Sequence, residues 1–236
     1  MSIASEHSGQ PGSSDGKTWK AVDDYFYSAL FAGDHDLEEG QRASEAAGLP
    51  AISVSPAEGK LLRLLVRGVR AHRVLEVGTL GGYSTVWMAG AIDSPGQLVT
   101  FELDPRHAEV ARENIDRAGF GELVDIRVGP AAEGLRALLD QRPESFDVVF
   151  IDADKASNAL YLDYAVRLGR PGTLIVVDNV VRGGRVLTAA DEASAGVRRL
   201  VDTLAERTDI DATAIQTVGS RGYDGFVLAV VTDVDQ

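Results

Sequence analysis

Two acidic clusters carry the densest chemistry in the chain. Asp152-Ala153-Asp154-Lys155 follows the apolar run FDVVFI, and Asp178-Asn179 follows TLIVV. Both runs read as strands. Their clusters then fall at strand carboxyl ends, where ligands bind in open α/β sheets. Two or three carboxylates and an amide oxygen brought to one sheet edge repel, so a cation belongs between them. A hard, oxygen-ligated divalent ion such as Mg²⁺ or Ca²⁺, completed by water, suits these donors. Lys155 is the other candidate for that cation, and the residues leave both readings open.

Three more strand ends offer binding chemistry. Glu76-Val77-Gly78-Thr79-Leu80-Gly81-Gly82-Tyr83-Ser84 is a glycine-rich turn that lets the backbone approach a ligand closely. A tight turn without a ligand is the alternative reading of these residues. Glu102-Leu103-Asp104-Pro105 offers two acids. Glu102 suits a hold on ribose hydroxyls, and Asp104 before Pro105 suits a helix N-cap. Gly129-Pro130-Ala131-Ala132 is small enough to let an adenine edge lie against the backbone.

The elements that must position these residues alternate along the chain. Strands are expected at 73–77, 98–102, 124–128, 146–151, 173–177, 212–218 and 225–231. Helices are expected at 82–92, 105–119, 131–141 and 157–169 between the first five strands. Such alternation gives right-handed crossovers and a parallel sheet covered on both faces. The short link Gly219–Asp224 allows only a hairpin, so the last strand runs antiparallel. The expected fold is therefore α/β, a seven-stranded, mostly parallel sheet with an antiparallel last strand: the class I methyltransferase, Rossmann-like outline. Two helical stretches come first, at about 17–32 and 35–48. A third starts at Pro56, with Leu61, Leu62, Leu65 and Val69 as its apolar face. Residues 1–16 read as a mobile tail. Residues 17–236 read as one domain with an N-terminal helical extension over 17–55.

Composition narrows the partners. The 236 residues carry 23 basic and 36 acidic side chains, a formal net charge of -13. That sign opposes a polyanion, so nucleic acid is not an expected partner. With no cysteine, thiolate metal sites, disulfides and cysteine nucleophiles are excluded. His7, His35, His72 and His107 show no zinc-type spacing. No apolar run is long enough for a membrane helix and the start is not a targeting signal, so a soluble, cytoplasmic protein is expected. A nicotinamide enzyme would need GxGxxG and usually YxxxK, and neither is present.

Six segments in order, ISVSPAEGKLL, VLEVGTLGGYST, VTFELDP, VGPA, FIDADK and VVDNVV, cover roughly residues 50–232. In them the chain resembles the cation-dependent O-methyltransferases, the group of catechol and caffeoyl-CoA O-methyltransferases and their bacterial relatives. The resemblance implies S-adenosylmethionine (SAM) as cofactor, bound by Val54, Glu76, Gly78, Tyr83, Ser84, Glu102, Ala131 and Asp152. It implies Asp152, Asp178 and Asn179 as ligands of Mg²⁺, with Ca²⁺ or Mn²⁺ in its place. Lys155 is similar to the family's proposed general base, with Asp152 serving both the ion and the sulfonium side. An ion held across two adjacent acceptor oxygens would lower the hydroxyl pKa and aim one oxygen at the methyl group. The implied acceptor is a catechol-like or vicinal-oxygen small molecule. The alternative is a hydroxylated natural-product intermediate, free or carrier-bound. The chain departs from the plant members at VVRGGRV, with Arg182 and Arg185, and at SPAEG, with Pro56 and Ala57. Both lie near the expected acceptor pocket. A homodimer is expected from the family habit and the amphipathic N-terminal helices.

Overall fold

A computed structural model describes residues 13–30, 33 and 35–233, so residues 1–12 of the expected tail lie outside the described residues. The chain runs through α1 (Ser13–Leu30), α2 (His35–Ala46), α3 (Pro56–Gly68), β1 (Arg73–Val77), α4 (Tyr83–Ala89), β2 (Gln97–Glu102) and α5 (Pro105–Arg117). It continues through β3 (Val124–Val128), α6 (Ala131–Asp140), β4 (Val148–Ile151), α7 (Asn158–Leu168), β5 (Leu174–Asp178), α8 (Glu192–Glu206), β6 (Ile210–Gly219) and β7 (Gly222–Val231). Short 3₁₀ segments cover Lys155–Ser157 and Arg182–Leu187.

The described strands form one sheet in the order β3-β2-β1-β4-β5-β7-β6. Only β7 opposes its neighbours, pairing antiparallel with both β5 and β6. Each expected strand is present. The expected hairpin turns on Ser220 and Arg221.

Two expectations need correcting. The first helix starts at Ser13, not 17, so the last four residues of the expected tail are helical. Asp15 sits in its first turn, where a carboxylate favours the helix dipole. Helix α8 was not expected at all. Its start is set by Asp191, whose carboxylate accepts the Ser194 N–H at 2.7 Å. Helix α3 buries Gly59, Leu62 and Val66, while Val69 lies just past its end and is exposed.

The sheet has two apolar faces, which is why its central strands read as continuous apolar runs. Leu75, Val77, Val99, Phe101, Val149, Ile151, Ile175 and Val177 join the core beneath α6, α7 and α8. Val74, Leu98, Val148, Phe150, Leu174 and Val176 join the core beneath α3, α4 and α5. Val77 stands opposite Phe101 and Ile151, and Ile151 opposite Val177. One residue further, Glu102, Gly78, Asp152 and Asp178 come level across four adjacent strands. The two-residue period turns all three acids toward the α3–α5 face.

The polar exception inside that face is Glu76, which is fully buried. Its carboxylate accepts from Ser84 Oγ at 2.6 Å, Thr85 Oγ1 at 2.6 Å and Thr100 Oγ1 at 2.7 Å. The first turn of α4 is thereby fastened to β1 and β2. Burial nevertheless dominates and pushes the Glu76 carboxyl from 4.5 up to about 7, against the three hydroxyl bonds. A raised carboxyl pKa costs stability as pH rises: the unfolded chain ionises above 4.5, the folded one only near 7. Glu76→Gln removes that cost. The variant should gain stability relative to the parent by up to about 3 kcal/mol between pH 5 and pH 8, read by urea unfolding. Parallel stability–pH curves would contradict the assignment.

Candidate active site

A cavity of about 670 Å³ opens at the carboxyl ends of the central strands. Its floor is the β1–α4 turn. Gly78 has φ +103°, and a Cβ there would strike the Asp152 carbonyl oxygen, so only glycine fits between the two strand ends. Gly78, Tyr83 and Ser84 line the cavity from this turn, Glu102 and Ala131 from the β2 and β3 ends, and Val54 from the segment before α3. Asp152, Lys155 and Asn179 close its far side. Glu76 is not on the wall; it lies beneath the turn and holds Ser84 from behind.

Glu102 is held in place by backbone donors. Its Oε2 accepts from Leu80 N at 2.7 Å and Thr79 N at 3.3 Å, and its Oε1 from Asp104 N at 2.9 Å. Asp104 caps α5 through the Arg106 N–H at 2.8 Å, the role its place before proline predicts. His107 Nδ1 lies 3.5 Å from Glu102 Oε1 and also lines the cavity. Sequence reasoning missed His107, though it sits one turn into the helix that Asp104 caps. It also missed Gln41, Ser44 and Glu45 of α2, which complete one wall. Their placement depends on Asn114, whose Nδ2 reaches Gly40 O, Ser44 Oγ and Gly81 O. No local pattern announces such a long-range contact.

A second cavity, about 540 Å³, adjoins the first. The two share residues 51–54 and Asn179. Asp178 and Glu58 line the second cavity. Glu58 belongs to a capping box: Ser55 Oγ accepts the Glu58 N–H at 3.2 Å, and Glu58 Oε2 accepts the Ser55 N–H at 2.8 Å. The SPAE pattern was a usable signal for it.

The acids at the junction are poorly compensated. Burial, then the charges of Asp152 and Glu58, push the Asp178 carboxyl well above the carboxylate range, while Lys155 pulls it down. Lys155 is buried and its Nζ lies 2.7 Å from Asp152 Oδ1, so it does neutralise one acid. One ammonium facing Asp152, Asp178 and Glu58 leaves an excess of negative charge. Asp154 leaves the cluster: it accepts from Tyr161 OH at 2.6 Å and from Ser157 N at 3.1 Å. Tyr161 is correspondingly pushed up to about 12, by burial and then by Asp154. Asn179 adopts φ +59°, costly for a residue with a Cβ. Its Nδ2 donates to Asp178 Oδ2 at 3.1 Å, which leaves the amide oxygen for another partner. Among the described residues no three His, Asp or Glu side chains form a cage. The donor set is two carboxylates and an amide oxygen, beside uncompensated charge, and it fits a hard cation that keeps part of its water.

The model of the O-methyltransferase family matches residues 31–230. The catechol O-methyltransferase of Mycobacterium tuberculosis is 49% identical over 211 residues, 89% of this chain and 94% of that one. The O-methyltransferase from Bacillus cereus, solved in complex with SAH, superposes with a TM-score of 0.90 at 47% identity, covering 92% of this chain and 100% of the other. The O-methyltransferase TomG from Streptomyces achromogenes, involved in tomaymycin synthesis and solved with SAM, gives 0.90 at 44% identity over 93% and 99%. The glycine-floored cavity, the level acids and these likenesses agree: the chain belongs to the O-methyltransferase family and is a SAM-dependent enzyme that methylates oxygen.

Proposed function

We propose that the protein transfers the SAM methyl group to one hydroxyl of a catechol-like or vicinal-oxygen small molecule, in a reaction that depends on a divalent ion. The observation that carries this reading is the junction of two cavities at Asp152, Asp178 and Asn179. The larger cavity takes the cofactor. Glu102 holds its ribose, Ala131 meets its adenine, and Val54, Gly78, Tyr83 and Ser84 surround the rest, with Glu76 acting through Ser84. SAM supplies an electrophilic methyl on its sulfonium. The ion, Mg²⁺ with Ca²⁺ or Mn²⁺ as alternatives, would be held by Asp152, Asp178 and Asn179 and would supply acidity to a bound hydroxyl.

The chain's own part is positioning and proton transfer. The strand register sets the acceptor cavity against the cofactor cavity, so both reactants are held in one geometry. To act as base Lys155 must first lose its ammonium proton to solvent. Its neutral Nζ, held beside Asp152, then accepts the hydroxyl proton as the oxygen attacks. Residues 17–236 are read as one domain that carries the whole site, with 17–55 as its helical extension. The exposed Tyr25, Phe26 and Leu30 of α1 support a homodimer. A second reading of the acceptor, a hydroxylated natural-product intermediate, draws support from the synthesis role of the Streptomyces relative.

Asp178→Ala should lower methyl transfer to a catechol panel by about 100-fold or more while SAH still binds by calorimetry. Excess EDTA should abolish transfer and added Mg²⁺ restore it; full activity in EDTA overturns the ion. Lys155→Arg keeps the charge beside Asp152 but loses the base. Its turnover should fall by about 100-fold or more, and an unchanged rate removes Lys155 from the reaction.

A further inference from the structure

We propose that Arg182 selects acceptors that carry an anionic group, such as a carboxylate, on the ring bearing the hydroxyls. This rests on the second cavity being the acceptor site. Arg182 lies on its wall, four residues beyond Asp178. Its Nε is buried and has no hydrogen-bond partner. The nearest carboxylate, Asp191 Oδ1, stands 4.0 Å away, beyond hydrogen-bond reach. Asp191 is already committed: it accepts the Ser194 N–H at 2.7 Å and lies 3.6 Å from Arg185 Nε. Nε itself is enclosed, but the side chain keeps 21% exposure on the cavity wall. A ligand carboxylate would meet the outer guanidinium nitrogens, which make no hydrogen bond among the described residues.

The other charged groups around the cavity do not fill that role. Asp224 Oδ1 accepts three backbone N–H groups, from Val181 at 3.0 Å, Arg182 at 2.8 Å and Gly225 at 3.0 Å. Asp23 Oδ2 accepts the Ser220 N–H at 2.6 Å. Arg221 donates to Ala51 O at 2.7 Å and Ser53 Oγ at 3.2 Å. Glu58 is tied to its capping box and its field falls on Asp178, at the ion end. Asp224 and Asp191 thus lie near Arg182, but the hydrogen bonds they accept come from the backbone and not from its guanidinium.

The 179–182 turn is built to present the side chain. Asn179 and Arg182 have positive φ, strained for Arg182, whose N–H donates to Asp224, while Gly183 and Gly184 carry positive φ freely. The same cavity is also lined by Ile52, Val54, Leu61 and Phe226, which offer apolar contact to an aromatic ring. A chain with a net charge of -13 repels an anion in general. An anionic acceptor therefore needs a local cation, and Arg182 supplies it.

The test compares kcat/KM for 3,4-dihydroxybenzoate and its methyl ester in the intact protein and in Arg182→Gln, with Mg²⁺ and SAM supplied. SAH binding by calorimetry reports that the variant is folded. The acid-to-ester ratio should fall by about tenfold or more in Arg182→Gln, mainly through KM of the acid. Arg182→Lys should retain part of the preference. Comparing ratios removes the different intrinsic acidities of the two compounds. A ratio unchanged by Arg182→Gln overturns the proposal and leaves the methyl-transfer reading standing. No transfer to either compound by the intact protein, with SAH bound, overturns that reading and this one with it.

Discussion

The site depends on one constraint: strand register puts three carboxylates at one level on one face of the sheet. Glu102, Asp152 and Asp178 end three of four neighbouring strands, and Gly78 ends the fourth. Adjacent strands lie about 4.8 Å apart. Two unit negative charges at that separation repel by on the order of 3 kcal/mol at an effective dielectric of about 20. A fold that keeps such an arrangement needs compensation, and it compensates the two ends differently. At Glu102 the compensation is built into the backbone: three N–H groups point at the carboxylate. At Asp152 and Asp178 it is partial, from one lysine and one amide. The first acid is held by permanent donors and can serve as a hydrogen-bonding wall. The second pair keeps an unmet demand for positive charge, which is what an exchangeable ion requires.

Gly78 explains why the level acids frame a cavity and do not simply crowd one another. A side chain there would occupy the gap between β2 and β4 and strike the Asp152 carbonyl. Its absence opens the space between Glu102 on one side and Asp152 on the other. Glu76, two residues earlier on the same face, then fixes the wall of that space through Ser84 and Thr85. It acts on the cavity only through the turn above it.

Most of the sheet was legible because its strands are buried on both faces, and burial of that kind writes apolar runs into the sequence. The acids ending those runs stood out for the same reason, as charges where the apolar pattern stops. Helix α8 was missed although Val197, Leu200 and Leu204 recur at helical spacing behind the Asp191 cap; only its first turn, EASA, and its buried Ser194 and Gly196 lack an apolar signal. Gly196 packs against the Lys155 carbonyl, so it is needed for closeness, a property that composition does not reveal. The α2 wall, with Gln41 and Ser44, is likewise a product of tertiary contact through Asn114. Asp154 shows the opposite failure. Its spacing beside Asp152 offered a third carboxylate, but β4 ends at Ile151 and Asp154 instead caps the 3₁₀ turn, accepting from Ser157 N and Tyr161 OH.

The choice of lysine at position 155 bears on what the junction is for. Only Lys17, Lys20, Lys60 and Lys155 occur among 23 basic residues. Lys17 and Lys20 are exposed, the latter paired with Asp24 one helical turn away, and Lys60 rests 5.8 Å from the Trp87 ring. Lys155 alone among them is buried, and alone meets the acids at the strand ends. If its work were only to neutralise Asp152, arginine would do it better: a planar fork matches a carboxylate, and this chain uses arginine for its pairs with Asp147 and Asp209. Arginine cannot give up its proton at accessible pH, and lysine can. A buried lysine beside Asp152, in a chain that otherwise prefers arginine, fits the proposed proton transfer better than charge balance alone.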